Sequence, residues 1–214
     1  QKTAYEIRNC DWSSDVCSSD LPSMSLRNRA ARALWGVACA LLFRPSPRPA
    51  HAWRALLLRA FGARLGPHCH VYPRASIWAP WNLVCEDAVG IADGAVVYNP
   101  APVTLGSHAV VSQDAFLCGA THDLDDPAFP MVSRPIHIGA YAWICARATV
   151  GPGLTVGEGA VLGLGSVAMR PTAASKLCLN RVGKLSGSEA LSTSRFRSRA
   201  SWFRGKGSRT LPST

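Results

Sequence analysis

Aliphatic residues recur at every sixth position over long stretches of this 214-residue chain, and this spacing restricts the fold more than any other feature. A period of six fits neither the 3.6-residue period of an α-helix nor the two-residue alternation of a half-buried strand. It is typical of a hexapeptide-repeat parallel β-helix. The positions are Leu65, Val71, Ile77, Leu83, Ile91, Val97, Leu105, Val111, Leu117, Ile138, Ile144, Val150, Val156 and Leu162.

In such a fold each hexapeptide supplies one short strand and one turn, and three hexapeptides close a triangular coil. The aliphatic residue points inward, and a small residue four positions later fits near the corner, as at Ala75, Ala95, Ala109, Ala115, Ala142, Ala148, Ala160 and Ser166. We therefore predict an all-β core, a left-handed parallel β-helix over residues 63–172, against the usual right-handed crossover. Two extra residues interrupt the register near "PWNLVC" and again near "YNPAPV", and Cys85 takes an inward position.

Residues 22–62 have a different pattern, which predicts an N-terminal helical segment. "SLRNRAARALWGVACALLF" and "AWRALLLRAFGA" carry apolar residues at three- and four-residue spacing, and "RPSPRP" separates them. The longest apolar run, Ala33 to Phe43, is shorter than the roughly 20 residues that span a bilayer. A buried helix is expected, and a helix that lies on a membrane surface is the alternative.

The two ends of the chain differ in composition from the part between them. "DWSSDVCSSDL" resembles a translated sequencing adapter, so residues 1–21 are interpreted as an artefact or as a disordered leader. Residues 173–214 are predicted to be a disordered, basic Ser/Arg-rich tail, with an arm that contacts nucleic acid or an anionic membrane as the alternative. Of the net charge of +10, residues 175–214 carry +8, so no nucleic-acid-binding domain is expected.

Cysteine and histidine spacing indicates the compartment and argues against a metal centre. The eight cysteines form no CxxC pair and follow no secretory leader, which favours a reduced, cytoplasmic protein. The histidines lack the paired spacing of a zinc site, so no metal is predicted. His68, His70, His108 and His137 are expected in turns or on outward positions.

The repeat breaks at one place, directly after His122. The register through Leu117 requires an aliphatic residue at position 123, but Asp123 stands there and the repeat resumes only at Ile138. Residues 123–137 are therefore predicted to form a loop outside the prism, whose prolines disfavour strand pairing. Loops on a rigid scaffold are common places for catalytic residues.

Several motifs resemble those of the hexapeptide-repeat acyltransferases, most of all the colanic acid biosynthesis acetyltransferases and the related maltose, galactoside and nodulation O-acetyltransferases. They are "IWAPWNL", "YNPAPVTLG", "LCGATHD" and "PIHIGAYAWICARATVGPGLTVGEGAVLGLGSVAMR", and the resemblance covers about residues 26–172. It implies a homotrimer that transfers the acetyl group of acetyl-CoA to a saccharide hydroxyl in exopolysaccharide or envelope glycan synthesis. His122 would be the general base, since a neutral imidazole can take the hydroxyl proton.

The resemblance also assigns binding residues. The acceptor would be bound by Asn99, Asp123 and Asp125, for which a turn asparagine and acids that only keep the loop soluble are the alternatives. The cofactor, laid along a groove between neighbouring subunits, would contact Ala142, Trp143, Ala146, Leu164 and Arg170. Trp143 could equally be a partly buried aromatic residue of the prism face.

Two further expectations concern catalysis. The N–H groups of Ala142 and Trp143 are candidates for stabilising the oxyanion, and no cysteine is expected to be a nucleophile. The family's closing Gly-Asn-Pro-Ala-like turn is absent from the sequence after residue 170, which could weaken CoA binding. The alternative to an enzyme is a noncatalytic β-helix that serves as an assembly or interaction module.

Overall fold

The computed structural model describes residues 25–123 and 126–169 and the backbone of Leu177–Cys178, which all belong to the same compact unit. The interpretation of residues 1–21 lies outside these described residues, and so does most of the segment predicted as a tail. Within that segment the structure differs at Leu177–Cys178, which form a strand parallel to Val161–Leu162. The β-helix therefore includes these two residues.

Three parallel sheets, called A, B and C here, form the sides of the β-helix. Sheet A contains β1 (Arg64–Leu65), β4 (Leu83–Cys85), β7 (Val103–Leu105), β12 (Ile136–Ile138) and β15 (Thr155–Val156). Sheet B contains β2 (His70–Val71), β5 (Gly90–Ile91), β8 (Val110–Val111), β13 (Trp143–Ile144), β16 (Val161–Leu162) and β18 (Leu177–Cys178). Sheet C contains β3 (Ser76–Ile77), β6 (Val96–Tyr98), β9 (Phe116–Cys118), β14 (Thr149–Val150) and β17 (Val167–Ala168). The chain visits the sheets in the order A, B, C, so the predicted solenoid is confirmed.

The interior of the prism is lined as the six-residue spacing predicts. Of the fourteen aliphatic positions, all are buried except Leu65, which is partly buried at the first strand and packs against the core. The eight small residues at the predicted corner positions are buried as well. Each aliphatic side chain stacks on its register partner in the next coil, as Val71, Ile91 and Val111 do in sheet B.

The irregular places of the repeat all fall at one edge of the prism, between sheets C and A, which we call the C–A corner. Leu65, Cys85 and Leu105 are register partners at intervals of twenty residues, whereas Ile138 and Val156 are eighteen residues apart. The first interruption forms a 3₁₀ turn at Pro80–Asn82, and the second is a bend at residues 100–101. In the third coil the much longer excursion after β9 leaves from this same corner.

The N-terminal segment is helical as predicted. Helix α1 (Leu26–Ala38) starts at the cap residue Ser25, whose Oγ accepts a hydrogen bond from the Asn28 N–H, and a π-helical turn (Cys39–Phe43) continues it. Helix α2 spans His51–Ala60. No helix among the described residues has the length and apolar character needed to cross a bilayer.

The expectation of a buried helix over residues 33–43 is wrong, because only Trp35 and Phe43 of this run are buried. The Trp35 indole N–H donates to the Ile77 carbonyl at 2.7 Å, and its ring packs against Phe43 and Phe61. One side of α1 is thus fixed to the first coil, while the other side faces outward.

A buried arginine, which the sequence analysis missed, attaches α2 to the first coil. Arg54 is fully buried, and its guanidinium donates to the carbonyl oxygens of Val71, Pro47 and Arg48 at 2.6 to 2.8 Å. Burial lowers the pKa of Arg54 from its ordinary value. Arginine is rarely buried without partners, and these carbonyl oxygens accept hydrogen bonds from the guanidinium N–H groups and so offset the loss of water.

Candidate active site

The excursion from the C–A corner is a β-hairpin rather than an unpaired loop, and we call residues 119–135 the arm. Strand β10 (Ala120–His122) pairs antiparallel with β11 (Met131–Ser133), so the expectation that prolines prevent pairing is wrong. Pro130 has no N–H to donate, but it still contributes to the hairpin as an acceptor. Its carbonyl accepts a hydrogen bond from the N–H of Asp123 at 2.9 Å. The predicted loop boundaries of 123–137 shift accordingly, and β12 resumes the prism at Ile136.

His122 is the last residue of β10, and its ring is fixed by a backbone contact. Its Nδ1 lies 2.8 Å from the carbonyl oxygen of Phe129. Since a carbonyl oxygen only accepts hydrogen bonds, Nδ1 carries a proton. In the neutral imidazole the lone pair then resides on Nε2, which is the form a general base requires.

The tip of the arm positions the Phe129 carbonyl. The sequence analysis did not predict this contact with His122. Phe129 has a left-handed φ of 53°, which turns its carbonyl toward His122, and the two rings stack with centroids 5.1 Å apart. Asp126 holds the turn: its carboxylate accepts from the Ala128 N–H, and its carbonyl accepts from the Phe129 N–H. The contact at Nδ1 thus comes from a peptide group.

Two contacts attach the arm to the coil below it. The Gly119 N–H donates to the Tyr98 carbonyl at 2.7 Å, and the Tyr98 hydroxyl donates to the sulfur of Met131 at 3.6 Å. Burial raises the pKa of Tyr98, so the hydroxyl stays protonated and able to donate. Met131 is the cross-strand partner of His122, and this chain of contacts therefore ends at the candidate base.

Asn99 lies beneath the arm with its side chain fully buried. Its Oδ1 accepts from the Ala79 N–H at 2.9 Å, and its Nδ2 donates to the Ala79 carbonyl at 2.8 Å. These contacts give Asn99 a structural role, which joins the first two coils at the C–A corner. Acceptor binding by Asn99 stays a prediction from the resemblance.

The other two acceptor candidates belong to the arm. Asp123 is exposed and directly follows His122 on the hairpin. Asp125 lies outside the described residues. Their assignment to the acceptor stays a prediction.

Three of the cofactor candidates lie at a different edge of the prism, between sheets B and C, which we call the B–C corner. Trp143 is 42% exposed on β13, and its indole N–H donates to the Ser112 hydroxyl at 2.8 Å. Ala146 and Leu164 occupy equivalent places in successive coils, since Trp143 and Val161 are register partners and the Gly165 N–H donates to the Ala146 carbonyl. Arg170 lies outside the described residues.

The B–C corner also presents unpaired peptide groups. No residue in the described part of the chain accepts a hydrogen bond from the N–H of Ala146 or of Leu164. Leu164 is 74% exposed. An amide-rich, partly apolar ligand could therefore lie along this edge.

The proposed oxyanion donors are wrong for this conformation of the chain. The Ala142 N–H donates to the Gly139 carbonyl at 3.3 Å, and the Trp143 N–H donates to the Ala160 carbonyl at 2.8 Å. Both groups belong to the hydrogen bonding of the coil itself. Ala142 is also buried, so only its neighbours offer surface to a ligand.

Within one chain, the candidate base and the cofactor candidates are not brought together. His122 belongs to the C–A corner, whereas Ala146 and Leu164 belong to the B–C corner, and the width of sheet C separates the two edges. A single chain therefore holds the candidate base and the cofactor candidates at two separate edges, and we call these two sets of candidate residues the half-sites. Of the cysteines near them, Cys145 has its pKa raised by burial, which favours the unreactive thiol form.

His68, His70, His108 and His137 occupy turns or outward positions, as expected. His68 lies in a turn 3.0 Å from a carboxylate oxygen of Asp87, and the His108 ring stacks on Tyr141. His137 is exposed on β12. Among the residues that the structure describes, no three histidine, cysteine or acidic side chains are grouped as metal ligands would be.

The triangular parallel β-helix of this chain is the fold of solved hexapeptide-repeat acetyltransferases. Among solved structures, the hexapeptide-repeat acetyltransferase VCA0836 from Vibrio cholerae superposes with a TM-score of 0.65 and 25% identity, covering 72% of this chain and 87% of that one. A galactoside acetyltransferase in complex with coenzyme A gives a TM-score of 0.65 at 22% identity, covering 72% and 78% of the two chains. No family model matches the sequence.

Sequence comparison identifies a family within this class. The chain is 35% identical over 145 residues to WcaF of Escherichia coli K12, which is named as a colanic acid biosynthesis acetyltransferase, and the match covers 68% of this chain and 80% of that protein. The Shigella flexneri protein of the same name matches to the same extent. The chain belongs to this family of acetyltransferases.

Proposed function

We propose that the protein transfers the acetyl group of acetyl-CoA to a hydroxyl of a saccharide, with His122 as the general base. The observation that carries this proposal is the 2.8 Å contact between His122 Nδ1 and the Phe129 carbonyl, which leaves Nε2 as the basic nitrogen. The saccharide acceptor and the setting in exopolysaccharide or envelope glycan synthesis are supported by the relatives named for colanic acid biosynthesis. The compartment consistent with this substrate is the cytoplasm.

The reaction follows from the chemistry of the two substrates. Nε2 of His122 accepts the proton of the sugar hydroxyl while the hydroxyl oxygen attacks the thioester carbonyl. The tetrahedral intermediate collapses as the carbon–sulfur bond breaks, and the imidazolium returns its proton to the departing CoA sulfur. A positioned general base of this kind contributes on the order of 10² to 10⁴ in rate. The carbonyl of Phe129 keeps the imidazole in the required tautomer throughout.

Acetyl-CoA as donor is supported by the B–C corner and by one neighbouring fold. A second structure of the Vibrio cholerae protein, at a TM-score of 0.65 and 23% identity, is a complex with acetyl-CoA. The unpaired N–H groups of Ala146 and Leu164 suit the amides of the pantetheine arm, and the fixed indole of Trp143 offers an apolar wall beside them. Arg170 is proposed for the nucleotide end, as the resemblance implies.

A homotrimer completes the proposal, because it would join the two half-sites. Three prisms packed around a threefold axis would place the arm of one subunit against the B–C corner of the next. His122 would then act on a thioester held by a neighbour, and Asp123 and Asp125 would face the acceptor. A monomer should accordingly be inactive even when it is folded.

The test is turnover of acetyl-CoA by the purified full-length chain with a panel of saccharides, followed by thiol release. His122→Asn keeps a donor for the Phe129 carbonyl but lacks the basic nitrogen, so turnover should fall on the order of 10²- to 10⁴-fold. His68→Asn, at an exposed histidine in a turn of the first coils, is the matched control. Turnover of His122→Asn within about threefold of the unsubstituted protein would reject the base, on the scale of that contribution. Acetyl-CoA binding without turnover of any saccharide would favour the noncatalytic module instead.

A further inference from the structure

The outward side of α1 carries a continuous apolar stripe that the β-helix leaves uncovered. Leu26 is 80% exposed, Leu34 63%, Val37 57% and Leu41 68%, and Ala30 between them is exposed as well. Their spacings of three and four residues place them on one face of the helix, opposite Trp35. Large side chains exposed in a row are unusual on a protein surface, and they mark a contact with a partner.

A tryptophan extends this stripe at its C-terminal end. The Trp53 indole N–H donates to the Leu42 carbonyl at 3.1 Å, which fixes the ring beside the end of the π-helical turn. Trp53 is 43% exposed and Leu42 46%. Tryptophan is favoured where one end of a side chain is in an apolar phase and its N–H is in a polar one, as at a membrane surface.

The segment of the chain that carries the stripe has charges of one sign. Residues 25–85 contain nine arginines and no aspartate or glutamate. Arg27, Arg29 and Arg44 are exposed on α1 and directly after the π-helical turn, and none of them forms an ion pair with any described residue. An apolar helix face flanked by unpaired arginines is complementary to a surface with negative headgroups above hydrocarbon.

We propose that this surface, Leu26, Ala30, Leu34, Val37, Leu41 and Trp53 with Arg27, Arg29 and Arg44, binds the surface of an anionic lipid bilayer. The helix would lie in the plane of the interface, with its apolar stripe below the headgroups and the arginines among them. This binding goes beyond acetyl transfer, and it would hold the enzyme where a lipid-attached saccharide could be presented to it. Pairing of this surface with the same surface of a second copy is disfavoured, because it would bring unpaired arginines of like charge together.

The experiment measures cosedimentation of the full-length protein with vesicles of phosphatidylcholine alone and with 30% phosphatidylglycerol. Val37→Ser tests the stripe, and Val167→Ser is its matched control, because Val167 is exposed to nearly the same extent, 59% against 57%, on sheet C. The combined change Leu34→Ser and Leu41→Ser enlarges the effect. A third variant, Arg27→Gln with Arg44→Gln, tests the charge.

The unsubstituted protein should bind the anionic vesicles and bind neutral vesicles much more weakly. The Leu34→Ser/Leu41→Ser pair should weaken binding at least tenfold, and the arginine pair about fivefold per charge removed, with a weaker salt dependence. Acetyl transfer to a saccharide in solution should be unchanged in all of them. Equal vesicle binding by the stripe variants would overturn the proposal and assign binding to the basic residues 175–214. Concentration-dependent self-association abolished by Leu34→Ser/Leu41→Ser, without vesicle binding, would overturn it in favour of a second copy.

Discussion

Phe129 contacts His122 twice, through its carbonyl oxygen at 2.8 Å from Nδ1 and through its ring, which stacks at a centroid distance of 5.1 Å. The first contact selects the tautomer, and the second restricts rotation of the imidazole. Both come from a residue seven positions away across the arm, so the tip of the hairpin controls the orientation of the candidate base.

Phe129→Ala separates the two contacts, because it removes the ring and keeps the backbone carbonyl. An aromatic pair contributes about 0.5 to 1.5 kcal/mol beyond its buried area, so kcat should fall about 2- to 12-fold. KM for acetyl-CoA should not change, since the donor is proposed to bind at the B–C corner. Steady-state kinetics with both substrates varied measures this split.

Tyr141→Ala is the matched control for that change. Tyr141 also has a left-handed φ, of 55°, and its ring stacks on a histidine, His108, at 4.8 Å. Its turn lies between sheets A and B, away from both half-sites. A loss of kcat as large as that of Phe129→Ala would show that the effect does not come from the orientation of His122.

Gly119 allows the arm to leave the prism, and a methyl group there should displace it. A Cβ at Gly119 would lie 2.7 Å from the Tyr98 carbonyl oxygen, a backbone atom that cannot move aside as a side chain could. Gly119→Ala should therefore destabilise the fold by about 1 to 3 kcal/mol and lower turnover, because His122 follows three residues later. Urea unfolding and thiol release measure the two effects.

The control is Gly36→Ala on α1, where a Cβ would meet nothing within 4 Å. Alanine is preferred to glycine within a helix by up to about 1 kcal/mol, so this variant should be as stable as the unsubstituted protein or more so. An unaffected Gly119→Ala variant would mean that the arm does not need the close approach to Tyr98.

Asn99 offers a prediction that separates a structural role from an acceptor-binding one. Asn99→Leu leaves the Ala79 N–H without a partner in the interior, whereas the Ala79 carbonyl still accepts from the Asn82 N–H, and a buried unpaired group costs about 1 to 3 kcal/mol. We expect a loss of about 1 to 3 kcal/mol in urea unfolding. A stable Asn99→Leu variant with a raised KM for the saccharide would instead support acceptor binding.

The sequence pattern predicts the prism because each hexapeptide repeats the same local requirement, an inward aliphatic residue and a small corner residue. It also locates the interruption after His122, because the aliphatic residue that the regular spacing requires at position 123 is missing. It does not predict the hairpin of the arm. Strand β11, "MVS", is only three residues long and has no recognisable strand pattern, and its partner β10 lies where the six-residue repeat ends.

The contacts that a repeat cannot encode are the ones that sequence reasoning missed. Phe129 acts through its carbonyl oxygen, and a peptide group has no residue-specific signature. Arg54 is buried against carbonyl oxygens of a bend and a coil, a pairing that depends on how α2 docks. The N–H groups of Ala142 and Trp143, which the sequence analysis names as oxyanion donors, donate to carbonyl oxygens of the coil. These partners depend on how the coils stack.

His51 should make the stability of the protein depend on pH. Its Nδ1 lies 3.1 Å from both the Val71 carbonyl oxygen and the Arg54 guanidinium. Burial lowers the pKa of His51, the positive charge of Arg54 and the neighbouring His70 lower it further, and the Val71 carbonyl opposes them. The folded state therefore binds a proton less readily at this position than the unfolded chain does.

The sign of the effect follows from proton linkage. Below the histidine pKa of an unfolded chain, about 6.5, the unfolded state carries a proton that folded His51 does not, so the free energy of unfolding decreases as the pH falls. The decrease ends below the folded pKa, where both states are protonated. His51→Gln should remove this part of the slope, whereas His137→Gln, at an exposed residue of β12, should retain it. Urea unfolding between pH 7.5 and pH 5 at a fixed protein concentration provides the comparison, and parallel curves for His51→Gln and the unsubstituted protein would show that the helical pair docks without regard to the charge of this imidazole.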